Sequence, residues 1–274
     1  MNRRYFLTAT AAAACVTGEA ADNALAPDEE QAGFKLLFDG RTFNGWRNPA
    51  DEQPPGDSWI IEDNCLKTTP KPRITEDLIS KESYGDFELK FDWRISPSGN
   101  TGVKYRIQRI IFMDNSKVDR KAGFEASLER EVTSHLSDRA KMAPDTTGQE
   151  YTVSYEFQLI DDAGGNAAKL DGGVHDIGAL YSMIPPRTKA QHHPLEWNTG
   201  GLMVKGDHFE HWINGVLVLD GSLHSEQAHA GTARRWANAP TIREMLIHAK
   251  PVGPVSLQHH GAAVWFKNLK IRPL

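Results

Sequence analysis

Apolar and polar residues alternate with a period of two through much of this chain. In GDFELKFDWRIS, Phe87, Leu89, Phe91 and Trp93 fall on one face and Glu88, Lys90, Asp92 and Arg94 on the other. GVKYRIQRI repeats the arrangement, with Val103, Tyr105 and Ile107 predicted inward and Lys104, Arg106 and Gln108 outward. YEFQLIDD sends Tyr155, Phe157 and Leu159 one way and Glu156 with Gln158 the other. Such alternation predicts half-buried β-strands. LMVKGDHFEHWINGVLVLD reads as a hairpin pair around an Asn214-Gly215 turn, and VSLQHHGAAVWFKNLKI as closing strands. FKLLFDGRTFNGW and SWIIEDNCLKT add short strands around Asp39-Gly40 and Asp63-Asn64 turns. Strands punctuated by turns roughly every eight to twelve positions predict an all-β sandwich of two antiparallel sheets.

One stretch departs from the pattern. Residues 112–150 are rich in charge and poor in β-branched apolar residues, and GFEASLEREVTSHL within them suggests a short helix. Their apolar content is too small for a core, so they are expected to form an excursion between strands that overhangs a site.

The 274 residues, 39% hydrophobic and 24% charged, suffice for one large β domain. A formal net charge of -5 gives no electrostatic reason for a nucleic-acid or membrane-surface partner. The start of the chain, NRRYFLTATAAAACVTG, sets Arg3 and Arg4 ahead of Phe6-Leu7 and an alanine-rich run, with Ala24-Leu25-Ala26 as a cleavage motif. This resembles a twin-arginine export signal over residues 1–26, which implies that machinery as a partner and a periplasmic or secreted domain over 27–274. The apolar run is too short for a permanent membrane-spanning helix. Cys15, preceded by Ala12, Ala13 and Ala14, is an alternative point of lipid attachment. With residues 1–26 removed only Cys65 remains, so no intrachain disulfide forms.

The outward residues carry the candidate chemistry. Lys104 and Arg106, Glu156 and Gln158, and Gln258 and His260 would assemble a carboxylate, amides, cations and an imidazole on one sheet if their strands are neighbours. Read in order, GFKLLFDGRTFNGW, DFELKFDWRI, GNTGVKYR, YEFQLIDD, GALYSMIPP, EWNTGGLMVKGDHFEHWINGV and LQHHGAAVWFKNLKI resemble the 3-keto-disaccharide hydrolase domain family over Phe34 to Leu274. The resemblance implies a concanavalin-like lectin/glucanase jelly roll and an oligosaccharide or glycoside substrate oxidised at C3. His259 departs from the aspartate or bulky apolar residue frequent in the family's closing motif, and the 112–150 excursion is longer than expected.

A ketone at C3 acidifies the C2 proton, so the glycosidic bond can leave by elimination and water can then add. That route needs a base near C2 and a donor near the C3 oxygen. Glu156 is the first candidate for acid/base work, with His260 second, and Arg106 and Lys104 would stabilise the enolate. Gln158, Gln258 and Asn198 would position substrate, Trp197, Tyr181 and Trp212 could stack on a sugar ring, and His211 is a candidate cleft residue or a hydrogen-bonded core histidine. A bound cation is an alternative to Arg106 and Lys104 for holding the enolate. A divalent cation could sit among Asp161, Asp162, Asp171, His175 and Asp176, which also read as ordinary turn residues, as does the His192-His193 pair. Two-carboxylate hydrolysis on Glu156 and Asp161 and a silent, lectin-like carbohydrate-binding module are the alternative readings.

Overall fold

The computed structural model describes residues 22–49, 56–133, 143–162 and 172–274. Its strands form two sheets packed face to face. The eight-stranded sheet runs β12 (Val216–Ser222), β11 (His208–Ile213), β10 (Asn198–Lys205), β7 (Phe87–Ile95), β14 (Val264–Pro273), β4 (Cys65–Thr68) and β3 (Trp59–Glu62), with β1 (Lys35–Leu36) also paired to β14. The six-stranded sheet runs β2 (Trp46–Arg47), β6 (Leu78–Ser80), β13 (Ser256–Leu257), β8 (Asn100–Asp114), β9 (Gly148–Ile160) and β5 (Ile74–Glu76). All pairs are antiparallel except β5 with β9. The two-sheet sandwich predicted from the alternation, and the jelly roll that the resemblance implies, are present.

β7 shows why. Its odd-numbered residues from Phe87 to Ile95 are buried and its even-numbered ones are not. Removing such rings from water stabilises the sandwich by about 1.5–3 kcal/mol per side chain. Phe91 meets Phe157 of the facing sheet edge-on, with centroids 6.3 Å apart, so the inward rings of both layers make one core.

The expected excursion is shorter than 112–150. Phe112 pairs with Glu150 and Asp114 with Gly148, so β8 and β9 extend as a long hairpin beyond the boundaries read from the sequence. Ile111, Phe112 and Met113 are all buried, because α2 (Phe124–Glu131) packs against β8. A strand covered on both faces loses the alternation that would announce it.

Two further helices, α3 (Glu226–Arg235) and α4 (Pro240–Ile247), lie where the alternation predicts nothing. Ser225 caps α3 by accepting from the Ala228 N–H, and Pro240 opens α4. A short first helix, α1 (Pro27–Gln31), precedes β1.

The chain upstream of α1 belongs to the packed structure. Asn23 is buried, accepts from the Asn268 N–H at 2.9 Å and donates from its side chain to the Asn64 carbonyl. Asp22 pairs with Lys267 at 2.7 Å. A processed chain starting at Pro27 would lack both contacts. Arg3, Arg4 and Cys15 lie outside the described residues.

Candidate active site

Three neighbouring strands of the six-stranded sheet supply the site. Register places Lys104 of β8 between Glu156 of β9 and Ser256 of β13, and Gln258 follows immediately after β13. The carboxyl of Glu156 lies across β8 at Gly102, where an added Cβ would come within 2.4 Å of Oε1. Glycine is therefore needed there for close approach rather than for backbone freedom. The Gln258 amide donates to Glu156 Oε2 at 3.3 Å.

Glu156 is almost fully covered. Burial pushes its carboxyl up to about 7, with Asp77 adding to the rise and Lys104 and Arg235 opposing it. Beneath it, Lys104 makes a buried ion pair with Asp77 at 2.7 Å, and Thr152 donates to the same Asp77 oxygen. Burial disfavours the Lys104 ammonium, but Asp77, Glu156 and Tyr151 together hold its pKa above the ordinary value. Lys104 is thus a fixed cation under the carboxyl. It helps set the charge of Glu156 from outside the pocket lining.

The pocket above Glu156 has a volume of about 330 Å³, within the range of small-molecule sites. Tyr181, Arg235, Gln258 and His260 line it with Glu156, and Tyr151 and Asn100 complete the polar wall. Arg235, from the last turn of α3, faces Tyr181 with its guanidinium carbon 5.4 Å from the ring centroid and pairs with Glu125 of α2. Burial acts to weaken that cation, yet Tyr151, Tyr181 and Glu125 hold its pKa above the usual arginine value. The His260 imidazole is held below its usual pKa by burial and by Lys104, and so favours the neutral form. A carboxyl that titrates near neutrality thus stands with a permanent cation and a neutral imidazole. This set can move a proton and stabilise a developing oxyanion.

Glu156, His260, Gln258 and Tyr181 are therefore brought together, with Lys104 immediately beneath. Arg235, Tyr151 and Asp77 complete the cluster without having been expected. Nothing local marks Arg235, because its position depends on helices that the alternation does not reveal.

Arg106 does not join them. Its φ of 53° sits in a bulge between Tyr105 and Arg109, where the strand register shifts. The bulge breaks the predicted alternation and buries Arg106, whose guanidinium donates to the Gly206 carbonyl at 2.8 Å and approaches Asp86.

His211 is a core residue. It stacks on Phe157 at 4.2 Å and meets the Tyr105 hydroxyl and the Gly178 carbonyl. Burial pushes its imidazole down to about 3, so it is neutral in the fold.

Asn198 opens β10 of the other sheet, and Trp197 directly precedes it. Asn198 accepts from the His193 N–H and donates to the His193 and Glu196 carbonyls, closing a turn. Trp197 lies between the Arg94 and Lys267 cations. Gln158 shares the face of Glu156, but segment 178–184 bridges to β9 beside it and its side chain is buried outside the pocket.

The residues considered for a cation are engaged otherwise. Asp161 accepts from the Ser98 N–H at 2.7 Å, and His192 approaches its other oxygen at 3.4 Å. Asp162 accepts from the Ile177 N–H, and His175 meets Ser182. Asp171 lies outside the described residues. Among the described residues, no group of three or more His, Cys, Asp and Glu side chains is arranged to hold a metal ion.

Comparison with known proteins gives the family and the fold. The chain is 28% identical over 255 residues to a 3-keto-disaccharide hydrolase of Bacteroides thetaiotaomicron, a match covering 88% of this chain and 79% of that protein. A crystal structure from Parabacteroides distasonis, provisionally assigned as a glycosyl hydrolase, superposes with a TM-score of 0.65 at 27% identity, covering 92% of this chain and 99% of its own. A second structure from that organism, with the same provisional assignment, shares the fold with a TM-score of 0.56 at 19% identity over 88% of this chain and 99% of its own. The model of the 3-keto-alpha-glucoside-1,2-lyase-like domain family matches residues 33–272, which span both sheets and every side chain of the Glu156 pocket, and the chain belongs to that family.

Proposed function

We propose that this protein cleaves the glycosidic bond of 3-keto-disaccharides or 3-keto-glycosides by elimination followed by hydration. The observation that carries the reading is a carboxyl titrating near 7, facing a small pocket that also holds the Arg235 guanidinium. A general base is most effective when its pKa lies near the working pH. Family membership supplies the substrate class.

In the proposed reaction the Glu156 carboxylate takes the C2 proton and the electron pair moves into the C3 carbonyl, giving an enolate. Arg235 meets that oxygen with positive charge, the role the sequence suggested for Arg106. Collapse of the enolate restores the C3 carbonyl, forms the C1–C2 double bond and breaks C1 from the glycosidic oxygen. The proton that Glu156 took from C2, or one from water, passes to the departing alkoxide oxygen. Water then adds across the double bond, its oxygen to C1 and a proton to C2, and the sum is hydrolysis. Lys104 and Asp77 are positioning residues, Gln258 orients the Glu156 carboxyl, and Tyr181 offers a ring face to the sugar.

The test is sugar release from a 3-keto-disaccharide and its unoxidised parent by the purified protein, in H2O and in D2O. Release from the oxidised compound alone, with deuterium at C2 of the product and loss in Glu156→Gln, supports the proposal. Equal cleavage of both compounds overturns the elimination route, and binding without turnover overturns the enzymatic reading.

The same proposal places the protein outside the cytoplasm by twin-arginine export. Replacing Arg3 and Arg4 by lysine should leave the product in the cytoplasmic fraction, and unchanged export after that replacement counts against the route.

A further inference from the structure

The outer face of the eight-stranded sheet carries a second groove, on the opposite side of the sandwich from Glu156, with a volume of about 550 Å³. β7, β10 and β11 form its floor. Register sets Lys90, Gly201 and Trp212 in one row across those strands. Gly201 has no side chain to raise the middle of the row, and Trp212 leans over it: an added Cβ would lie 3.2 Å from Trp212 Cβ, 3.7 Å from Cγ and 3.9 Å from Cδ1. The indole N–H donates to Glu210 at 2.9 Å, which fixes the ring's rotation. The result is a half-exposed indole held against the sheet as a platform.

The far wall is polar. Asn268 donates to Asp92 at 2.6 Å, and Glu29 of α1 reaches over β14 to pair with Lys270 at 2.6 Å. Lys90 likewise approaches Glu88 at 3.5 Å. Both lysines of the groove are thus matched to carboxylates, and Asp92 and Glu210 accept from the Asn268 amide and the Trp212 indole, so the groove leans acidic and holds no unmatched lysine for an anionic ligand. Carboxylate and amide atoms beside a flat aromatic ring instead match a ligand with many hydroxyls and an apolar ring face.

We propose that this groove is a second, non-catalytic binding site for a neutral glycan. Trp212 stacks on one sugar ring, and Asp92 and Asn268 hydrogen-bond the hydroxyls of the next. Nothing in the reaction at Glu156 requires it. Its consequence is to hold the protein on a glycan while the other face handles its small substrate.

Affinity electrophoresis of the full chain in gels containing laminarin, galactomannan, xylan or soluble starch, with alginate as the charged control, tests this. Retardation by at least one neutral polysaccharide is expected, weakened at least tenfold in Trp212→Ala and in Gly201→Thr, which fills the floor, and retained in Glu156→Gln. Circular dichroism and unchanged turnover of a 3-keto-disaccharide establish that the groove variants fold. If only one groove variant folds, that one decides. Absence of retardation by every neutral polysaccharide overturns the proposal. So does retardation by alginate alone, retardation unaffected by the folded groove variants, or retardation abolished by Glu156→Gln.

Discussion

Glu156 stays protonated in the folded protein over a pH range in which the unfolded chain has already ionised it. Its folded pKa of about 7 lies above the free glutamate value of about 4.3, so its contribution to stability is complete below pH ~4.3 and is lost as pH rises through 7. Glu156→Gln should therefore gain thermal stability over the parent on moving from pH 5 to pH 8, while losing the limb of activity that rises through about pH 7 in the parent. Paired melting curves and pH–rate profiles check this. Gly102→Ala acts on the same carboxyl by another route, since the new methyl group occupies the space of Oε1. Turnover should fall at least tenfold with the fold retained, as read by kinetics beside circular dichroism. His211 has the opposite linkage. Burial depresses its folded pKa to about 3, so its contribution is present above the unfolded value of about 6.5 and is lost as pH falls from there towards 3. His211→Phe should flatten the acid limb of the melting-temperature profile below pH 6.5. At pH 7 it should cost about 1–3 kcal/mol, because the Gly178 carbonyl and the Tyr105 hydroxyl lose their partner.

Two arginines on different elements separate stability from chemistry. Arg106, folded into the β8 bulge, ties that strand to the β10–β11 turn at Gly206, whereas Arg235 faces the pocket from the end of α3. Arg106→Ala should lower the melting temperature with kcat nearly unchanged. Arg235→Ala should lower kcat at least a hundredfold with a smaller change in melting temperature, and kinetics with calorimetry distinguish the two. The same pair shows how far a one-dimensional pattern reaches. Period-two alternation correctly oriented β7 and the 155–159 stretch of β9, because each sends apolar side chains to the core and polar ones to the opposite face, although that polar face of β9 is itself covered. It misdirected Arg106, because β8 carries two extra residues between Tyr105 and Arg109 and Arg106 lies within that bulge, out of the alternation on either side. It ended β8 early, because Phe112 and Met113 are covered on both sides, and it could not place Arg235 on a helix that docks through tertiary contacts. The Glu156, Gln258 and His260 cluster was legible because all three lie on paired strands or directly beyond them.

For the whole molecule, the two ends of the described chain are joined. Asn23 and Asp22 bond residues of β14, and β1 pairs with the same strand. A chain beginning at Pro27 should be about 1–3 kcal/mol less stable than one beginning at Asp22, through loss of the Asn23 hydrogen bonds, as measured by denaturant unfolding of the two chains. Equal midpoints and slopes would count against a structural role for residues 22–26. β14 itself occupies the interior of its sheet, between β7 and β4, although it is the final strand of the sequence. Its strand neighbours β7 and β4 are both made before it, and its absence splits the larger layer in two. Chains cut before Val264 carry unsatisfied edges on both sides of that gap, and should aggregate instead of giving a slightly smaller folded protein.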